Sequence, residues 1–277
     1  MTDTISADFV HALMPDLREA LREAASLALP FFRAGSQTSA KIWSKAGGSP
    51  VTEADVAVDT FLKIRLSQIV PAAAWLSEET ADDAVRIGHD LVWIVDPIDG
   101  TRAFLSGHRD WSIAVALLKA GEPVIGFVNA PALGHDYEAI HGRGATRNGE
   151  PIGARQGVAL PTARVTGPKP MIDRLGRGVS RDLGDAAFER IDRIPSLALR
   201  VARVAEGSVD VGLVSSDARD WDLAAADLIL REAGGSVCDM SGVATVYNRT
   251  DPVHGELVAL PNDLRDVVVS AWDRGRS

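Results

Sequence analysis

Trp93-Ile94-Val95-Asp96-Pro97-Ile98-Asp99-Gly100-Thr101 decides how the chain is read. An apolar run of strand type ends in a carboxylate. Pro97 lacks a backbone donor and is expected to stop the ladder there. Asp99 presents a second carboxylate three residues on. Gly100 lets the backbone approach a ligand, and Thr101 suits the opening of a helix. Ligands commonly sit at the carboxyl ends of strands in α/β sheets. Two carboxylates this close repel unless one is protonated or a cation bridges them, and hard oxygen ligands suit Mg²⁺ or Mn²⁺. The plainer reading is an Asx-rich turn after a strand.

Working outward, two further acidic positions bear on that choice. Ser77-Glu78-Glu79 follows the short apolar run Trp75-Leu76, again putting a carboxylate at a strand end, although a solvated charge pair reads the same way. Trp221-Asp222 opens a helix, where the dipole alone favours an acidic residue. Thr52-Glu53-Ala54-Asp55 has the pattern of a capping box, which gives Asp55 a structural reading beside any chemical one. Lys45 lies in a Gly-rich segment and by itself reads as a surface lysine. The six histidines (His11, His89, His108, His135, His141 and His254) show no ligand spacing and are expected on the surface or in loops.

The flanking sequence predicts mixed α and β structure in two halves. Phe9, Leu13, Leu17, Leu21, Ala24 and Ala28 mark a first helix over residues 9–32, firm from about Asp16 because Pro15 lies near its start. Residues 35–50 read as loop or hairpin, and a second helix runs from Thr52 to Ile69. Strands are expected at 74–76, 91–95, 112–119, 123–129 and 137–141, with Gly121-Glu122 as a hairpin turn. Helices packed on this largely antiparallel sheet make residues 1–147 an α+β sub-domain. Residues 148–277 alternate strands (163–166, 209–214, 236–239) with helices (170–175, 196–206, 220–233) and form a smaller α/β sub-domain that supplies Asp222. Val267–Trp272 is left as helix or strand.

Composition excludes several classes. The 277 residues are 46% hydrophobic and 24% charged, which allows a sizeable core and rules out a disordered chain. The net charge of −9 argues against binding a nucleic-acid polymer. No apolar run reaches the ~18 residues a membrane span needs, and Met1–Phe9 does not read as a secretory signal. One cysteine, Cys238, cannot form an internal disulfide, which fits a reducing cytoplasm. No Gly-x-Ser-x-Gly, His-Glu-x-x-His or Cys-x-x-Cys supports another hydrolase class.

Taken in order, Ser49-Pro50-Val51-Thr52-x-x-Asp55, Ser77-Glu78-Glu79, Trp93 to Thr101, Trp221-Asp222-x-Ala224-Ala225 and Glu232-Ala233-Gly234-Gly235 resemble the inositol monophosphatase superfamily. These are magnesium-dependent, lithium-sensitive phosphomonoesterases that include 3′(2′),5′-bisphosphate nucleotidases, histidinol phosphatases and fructose-bisphosphatases. The resemblance implies a five-layer αβαβα sandwich, usually a homodimer, with two or three Mg²⁺ ions. Glu78, Asp96 and the carbonyl of Ile98 match ligands of a first metal. Asp96, Asp99 and Asp222 match those of a second, and a third, weaker ion again uses Glu78. Asp55 and Thr101, with Glu78 nearby, match the group that orients and deprotonates the attacking water. Asp99, Gly100, Thr101 and Asp222 match the substrate-binding positions, and Lys45 falls where relatives carry a mobile-loop lysine.

The resemblance implies a small phosphorylated metabolite as the substrate, and here the motifs diverge. Ser77 before Glu78-Glu79 resembles bisphosphate nucleotidases. Asp99-Gly100-Thr101-Arg102-Ala103-Phe104 resembles histidinol phosphatases. Inositol enzymes carry a Glu some seven residues before Trp-Asp, where this chain reads Val214-Ser215-Ser216, so Ser215 is a candidate in its place. Arg102, Arg109 and Arg219 are candidates for meeting a second phosphate, set against the plainer reading of surface arginines. Inositol monophosphate and 3′-phosphoadenosine 5′-phosphate are the leading substrates, with histidinol phosphate third. The alternative of another class is an inactive metal-binding regulatory protein.

Overall fold

A computed structural model of the chain describes residues 7–45, 48–183 and 188–276. Most of the Met1–Phe9 stretch and the Ala46-Gly47 pair of the Gly-rich segment lie outside the described residues. In chain order the strands are β1 (Ile42–Ser44), β2 (Pro50–Thr52), β3 (Ala74–Ser77), β4 (Leu91–Asp99), β5 (Ser112–Lys119), β6 (Glu122–Ala130), β7 (His135–Ile140), β8 (Ala145–Arg147), β9 (Glu150–Ile152), β10 (Arg164–Thr166), β11 (Glu189–Arg190), β12 (Val211–Val214), β13 (Gly235–Asp239) and β14 (Leu257–Pro261). The helices are α1 (Ala7–Ala28), α2 (Glu53–Ile69), α3 (Thr101–Ser106), α4 (Lys169–Leu183), α5 (Leu197–Ala205), α6 (Asp220–Glu232) and α7 (Arg265–Arg274).

Strands β3 to β9 form one seven-stranded sheet in sequence order, antiparallel except for β3 beside β4. The second sheet has the order β11-β10-β12-β14-β13. Three apolar clusters stack these elements into the five-layer αβαβα sandwich. Leu17, Leu21, Val58 and Leu62 of α1 and α2 pack on Trp93, Val95, Val115 and Leu117 from one face of the large sheet. Ile94, Ala114 and Ala116 from its other face pack against Leu199 and Val201 of α5 and Leu223 and Ile229 of α6, which also reach Val237 and Ala259 of the second sheet. Leu175 of α4 and Val268 and Trp272 of α7 cover that sheet's far face. The alternation along β4, Trp93 and Val95 one way and Ile94 the other, is what lets a fully buried strand carry two helical layers.

The middle layer is tight. A Cβ at Gly126 of β6 would lie 2.5 Å from the carbonyl oxygen of Ala225, so only glycine lets α6 seat directly on the sheet. The helix that carries Asp222 is thus locked against the sheet that carries Asp96 and Asp99. The expected division at 147/148 falls in the turn of the β8–β9 hairpin, so β9 belongs to the first sheet.

Several local expectations need correcting. Helix α1 runs through Pro15 from Ala7 rather than firming at Asp16. Both Pro15 and His11, whose carbonyl Pro15 leaves without its helical donor, are exposed, which leaves that carbonyl open to solvent. The β5–β6 turn is Ala120-Gly121, with Lys119 opposite Glu122. Both turn residues have positive φ (50° and 84°), as a two-residue primed turn requires. Residues 267–272 are helical, within α7, and β14 is a further strand beyond those expected, although its apolar run is bounded by Gly255 and Pro261-Asn262.

Candidate metal centre and substrate cavity

Pro97 does not end β4. The strand continues to Asp99 through a bulge: Asp96 is opposite Ala114 and Asp99 opposite Ser112, three steps against two. In a regular strand, residues three apart face opposite ways. The one extra residue brings both carboxylates to the same face, and Pro97, with no N–H to strand, fits the irregularity.

Asp222 comes from the first turn of α6. Its Oδ2 accepts from the backbone N–H of Arg219 at 2.6 Å. The start of that helix is fixed from behind. Buried Asp220 accepts from the Asn248 N–H at 2.7 Å and from His254 Nε2 at 2.7 Å. His254 is therefore a buried positioning group and not the surface histidine expected. The result is one carboxylate oxygen from each of Asp96, Asp99 and Asp222, all within 4.8 Å of one another.

Such a cluster strains toward protonation. Burial, then the charges of Glu78 and Asp99, push the Asp96 carboxyl well above the usual range. Burial and Asp99 do the same to Asp222. Asp99 rises to about 6, burial being opposed by donors from α5. Its Oδ2 accepts from Ser196 Oγ at 2.5 Å and from the Ala198 N–H at 2.7 Å. Ser196 also caps α5 by accepting from the Leu199 N–H at 3.0 Å. Sequence reasoning missed Ser196, and its position as the cap before an apolar helical run is the signal that marks it.

Asp55 shows that its two readings coexist. Its Oδ2 completes the capping box, taking the Thr52 N–H at 2.8 Å and the Thr52 hydroxyl at 2.5 Å. Its Oδ1 is buried and has no partner among the described residues. Burial raises this carboxyl to about 6. Thr101, expected to act with Asp55, donates its hydroxyl to the Ile98 carbonyl at 3.2 Å.

Glu78 stands just past β3, its N–H reaching the Val95 carbonyl at 3.3 Å. Lys45 Nζ lies 2.8 Å from Glu78 Oε1 and 2.7 Å from Glu79 Oε1. Burial pulls the lysine pKa down, but the two glutamates overcome it and the net shift is upward. Glu79, left unassigned from sequence, is the more buried of the pair and is pushed up to about 7, mainly by burial.

Glu78, Asp96, Asp99 and Asp222 floor a cavity of about 300 Å³, with Gly100 and Thr101 beside them and Arg102, Arg193 and Pro195 on its wall. Ser215 is exposed and does not line it. Arg109 Nε donates to the Ala132 carbonyl at 2.8 Å, and the Arg219 guanidinium lies 5.4 Å from the centre of the Trp221 ring. A roomier cavity of about 380 Å³ lies between α1 and the large sheet, where Arg18 and Glu138 bind each other. Its two acids are already taken, Glu138 by Arg18 and Asp136 by Asn129, so chemistry and not volume singles out the site. Among the described residues the donor set is all oxygen, without His or Cys, and a buried Asp55 oxygen lacks a partner. Those features fit hard divalent cations such as Mg²⁺.

Comparison with known proteins agrees with this geometry. The model of the inositol monophosphatase family matches residues 14–272. A histidinol-phosphatase of Mycobacterium tuberculosis is 32% identical over 85% of this chain and 89% of its own length. A 3′(2′),5′-bisphosphate nucleotidase CysQ of Aggregatibacter actinomycetemcomitans is 27% identical over 78% of this chain and 81% of its own. The solved structure of a Thermotoga maritima IMPase superposes with a TM-score of 0.77 at 29% identity, covering 93% of this chain and 95% of that one. With the layered fold, the bulged β4 and a family match across nearly the whole sequence, the chain belongs to the inositol monophosphatase family.

Proposed function

We propose that the protein is a Mg²⁺-dependent phosphomonoesterase that releases phosphate from a small phosphorylated metabolite. The observation that carries this reading is the convergence of Asp96, Asp99 and Asp222 within 4.8 Å. In it Glu78, Asp96, the Ile98 carbonyl, Asp99 and Asp222 would hold two or three Mg²⁺ ions, Mn²⁺ suiting the same donors. Bound ions supply Lewis acidity, neutralising phosphoryl oxygens and acidifying water.

The chain's own groups do the rest. The N–H groups of Gly100 and Thr101 hold phosphoryl oxygens. Asp55 Oδ1, buried and unpartnered among the described residues, orients the attacking water with Thr101 and Glu78 and takes its proton. Asp222 positions the water that protonates the leaving alkoxide. Lys45, bonded to Glu78, holds that carboxylate in place.

Inositol monophosphate and 3′(2′),5′-bisphosphate nucleotides are the leading substrates. The similarity to the Mycobacterium tuberculosis histidinol-phosphatase keeps histidinol phosphate as a second reading. Family membership also supports lithium sensitivity, a homodimer and a cytoplasmic setting. Among the described residues no helix is long and apolar enough to cross a membrane. Phosphate release from inositol 1-phosphate, adenosine 3′,5′-bisphosphate, histidinol phosphate and fructose 1,6-bisphosphate, with and without Mg²⁺, tests the reading. Mg²⁺-dependent turnover of any of these esters is expected. Tight Mg²⁺ binding without turnover would instead make the chain a metal-binding regulatory protein.

A further inference from the structure

We infer that Arg102 and Arg193 form a subsite for a second anionic group, carried on the leaving-group side of the substrate. This rests on the phosphomonoesterase reading. Both side chains line the cavity above the carboxylates. Both are exposed, and neither has a hydrogen-bond or ion-pair partner among the described residues. The cavity's neighbouring cation behaves differently: Lys45 is consumed by Glu78 and Glu79. Of the other two sequence candidates, Arg109 is bonded to a carbonyl and Arg219 stands beside Trp221, and neither lines the cavity. Two free guanidiniums beside a metal-binding floor are donors in search of an anion, and their fork geometry matches a phosphate or carboxylate.

The subsite is also preorganised. Arg102 follows Thr101 in the first turn of α3. Arg193 precedes a segment pinned at two points. Buried Arg200, 3% exposed, donates from Nε and Nη2 to the Ile194 carbonyl (3.1 and 2.6 Å) and from Nη1 to the Leu213 carbonyl at 2.8 Å. Two residues on, Ser196 is bonded to Asp99. Pro195 between them limits the backbone further. Arg193 is therefore rooted at a fixed offset from the carboxylate floor, so less freedom is lost when a ligand binds. A neutral polyol leaves both guanidiniums unused, and an ammonium-bearing leaving group is repelled by them.

Steady-state kinetics of the Mg²⁺-loaded enzyme on adenosine 3′,5′-bisphosphate, inositol 1-phosphate and p-nitrophenyl phosphate test this, in the wild type, Arg102→Ala, Arg193→Ala and the double variant. The double variant should lose about 10- to 100-fold in kcat/KM on the bisphosphate, mainly through KM, the scale of charge-assisted hydrogen bonds. The two monophosphates should change less than about threefold, and Arg193→Lys should recover part of the loss. Added salt should erode the wild type's preference for the bisphosphate and leave the double variant indifferent. Equal losses on all three esters, or none, overturn the subsite. Wild-type turnover of the monophosphates reports the phosphatase reading separately. If no ester is turned over, calorimetric binding of the bisphosphate with Ca²⁺ decides: weakening in the double variant supports the subsite, and unchanged affinity rejects it.

Discussion

At the floor of the cavity Asp96, Asp99 and Asp222 are each tied to a backbone or hydroxyl donor. On its wall Arg102 and Arg193 stand exposed and unpaired among the described residues. The floor is built from sheet, helix start and cap, and it keeps its charges together at a cost in repulsion. The wall is built from Arg102 in the first turn of α3 and Arg193 in the segment that leads into α5. On the proposed reading, chemistry is held by the fold and substrate choice is left to side chains that the fold does not otherwise need.

The largest effect that separates the two sides is expected at Asp96. Asp96→Asn keeps an acceptor for the Ile98 N–H, which the aspartate now bonds at 3.0 Å, so the fold should persist. It removes one charge from a buried cluster. Turnover should fall by about 10²–10³-fold or more, while circular dichroism stays native and the metal-free melting temperature holds or rises. Wild-type activity in this variant would break the reading of the floor.

Metal linkage is next. Asp99 is raised to about 6, above the ~3.9 of an unfolded aspartate. The native state therefore binds more protons between those values, and this group's share of stability falls as pH rises through that window. Above it the cluster is charged and strained, and divalent cations relieve the strain. Mg²⁺ should raise the melting temperature more at about pH 8 than at about pH 5. Asp99→Asn should flatten the difference. A Mg²⁺ shift larger at the acid end would contradict the sign.

Ser196→Ala probes the joint between floor and wall on a smaller scale. Losing the α5 cap costs about 1 kcal/mol. Losing the hydroxyl that favours charged Asp99 raises that carboxyl further. Activity relative to wild type should be lower at about pH 6 than at about pH 8, and Ser196→Thr should restore most of it. A pH-independent loss would leave Ser196 a cap only.

The floor was legible because its residues sit on signals that local physics writes into sequence. An apolar run ends at Asp96, a capping box contains Asp55, and Asp222 opens a helix. What sequence could not show is that Pro97 makes a bulge instead of an end, because that depends on β5 supplying Ala114 and Ser112 as partners. Strand β14 had a local signal, an apolar run between Gly255 and Pro261, and what sequence could not show was its place between β12 and β13. Arg200, Arg193 and His254 carry no local signal: Arg200 meets the Ile194 and Leu213 carbonyls, His254 meets Asp220 across the fold, and Arg193 is placed by the pinned segment it precedes.

The smallest expected effect is the sharpest control on the wall. Arg102, Arg109 and Arg219 stood equal in the sequence as candidates for a second anion. The structure separates them by what each side chain already touches. Arg109 holds the Ala132 carbonyl through Nε and Nη2 and is absent from the cavity lining. Its hydrogen bonds are exposed, so Arg109→Ala should change stability by no more than about 0.5 kcal/mol. It should also change kcat/KM by less than about twofold on bisphosphate and monophosphate esters alike. A preferential loss on the bisphosphate would move the second-anion contact to the Arg109 side of the cavity mouth and dissolve the contrast between a committed Arg109 and a free Arg193. Parallel insensitivity on both esters would leave unpaired charge at the cavity, and not arginine content near the motif, as the property that selects the substrate.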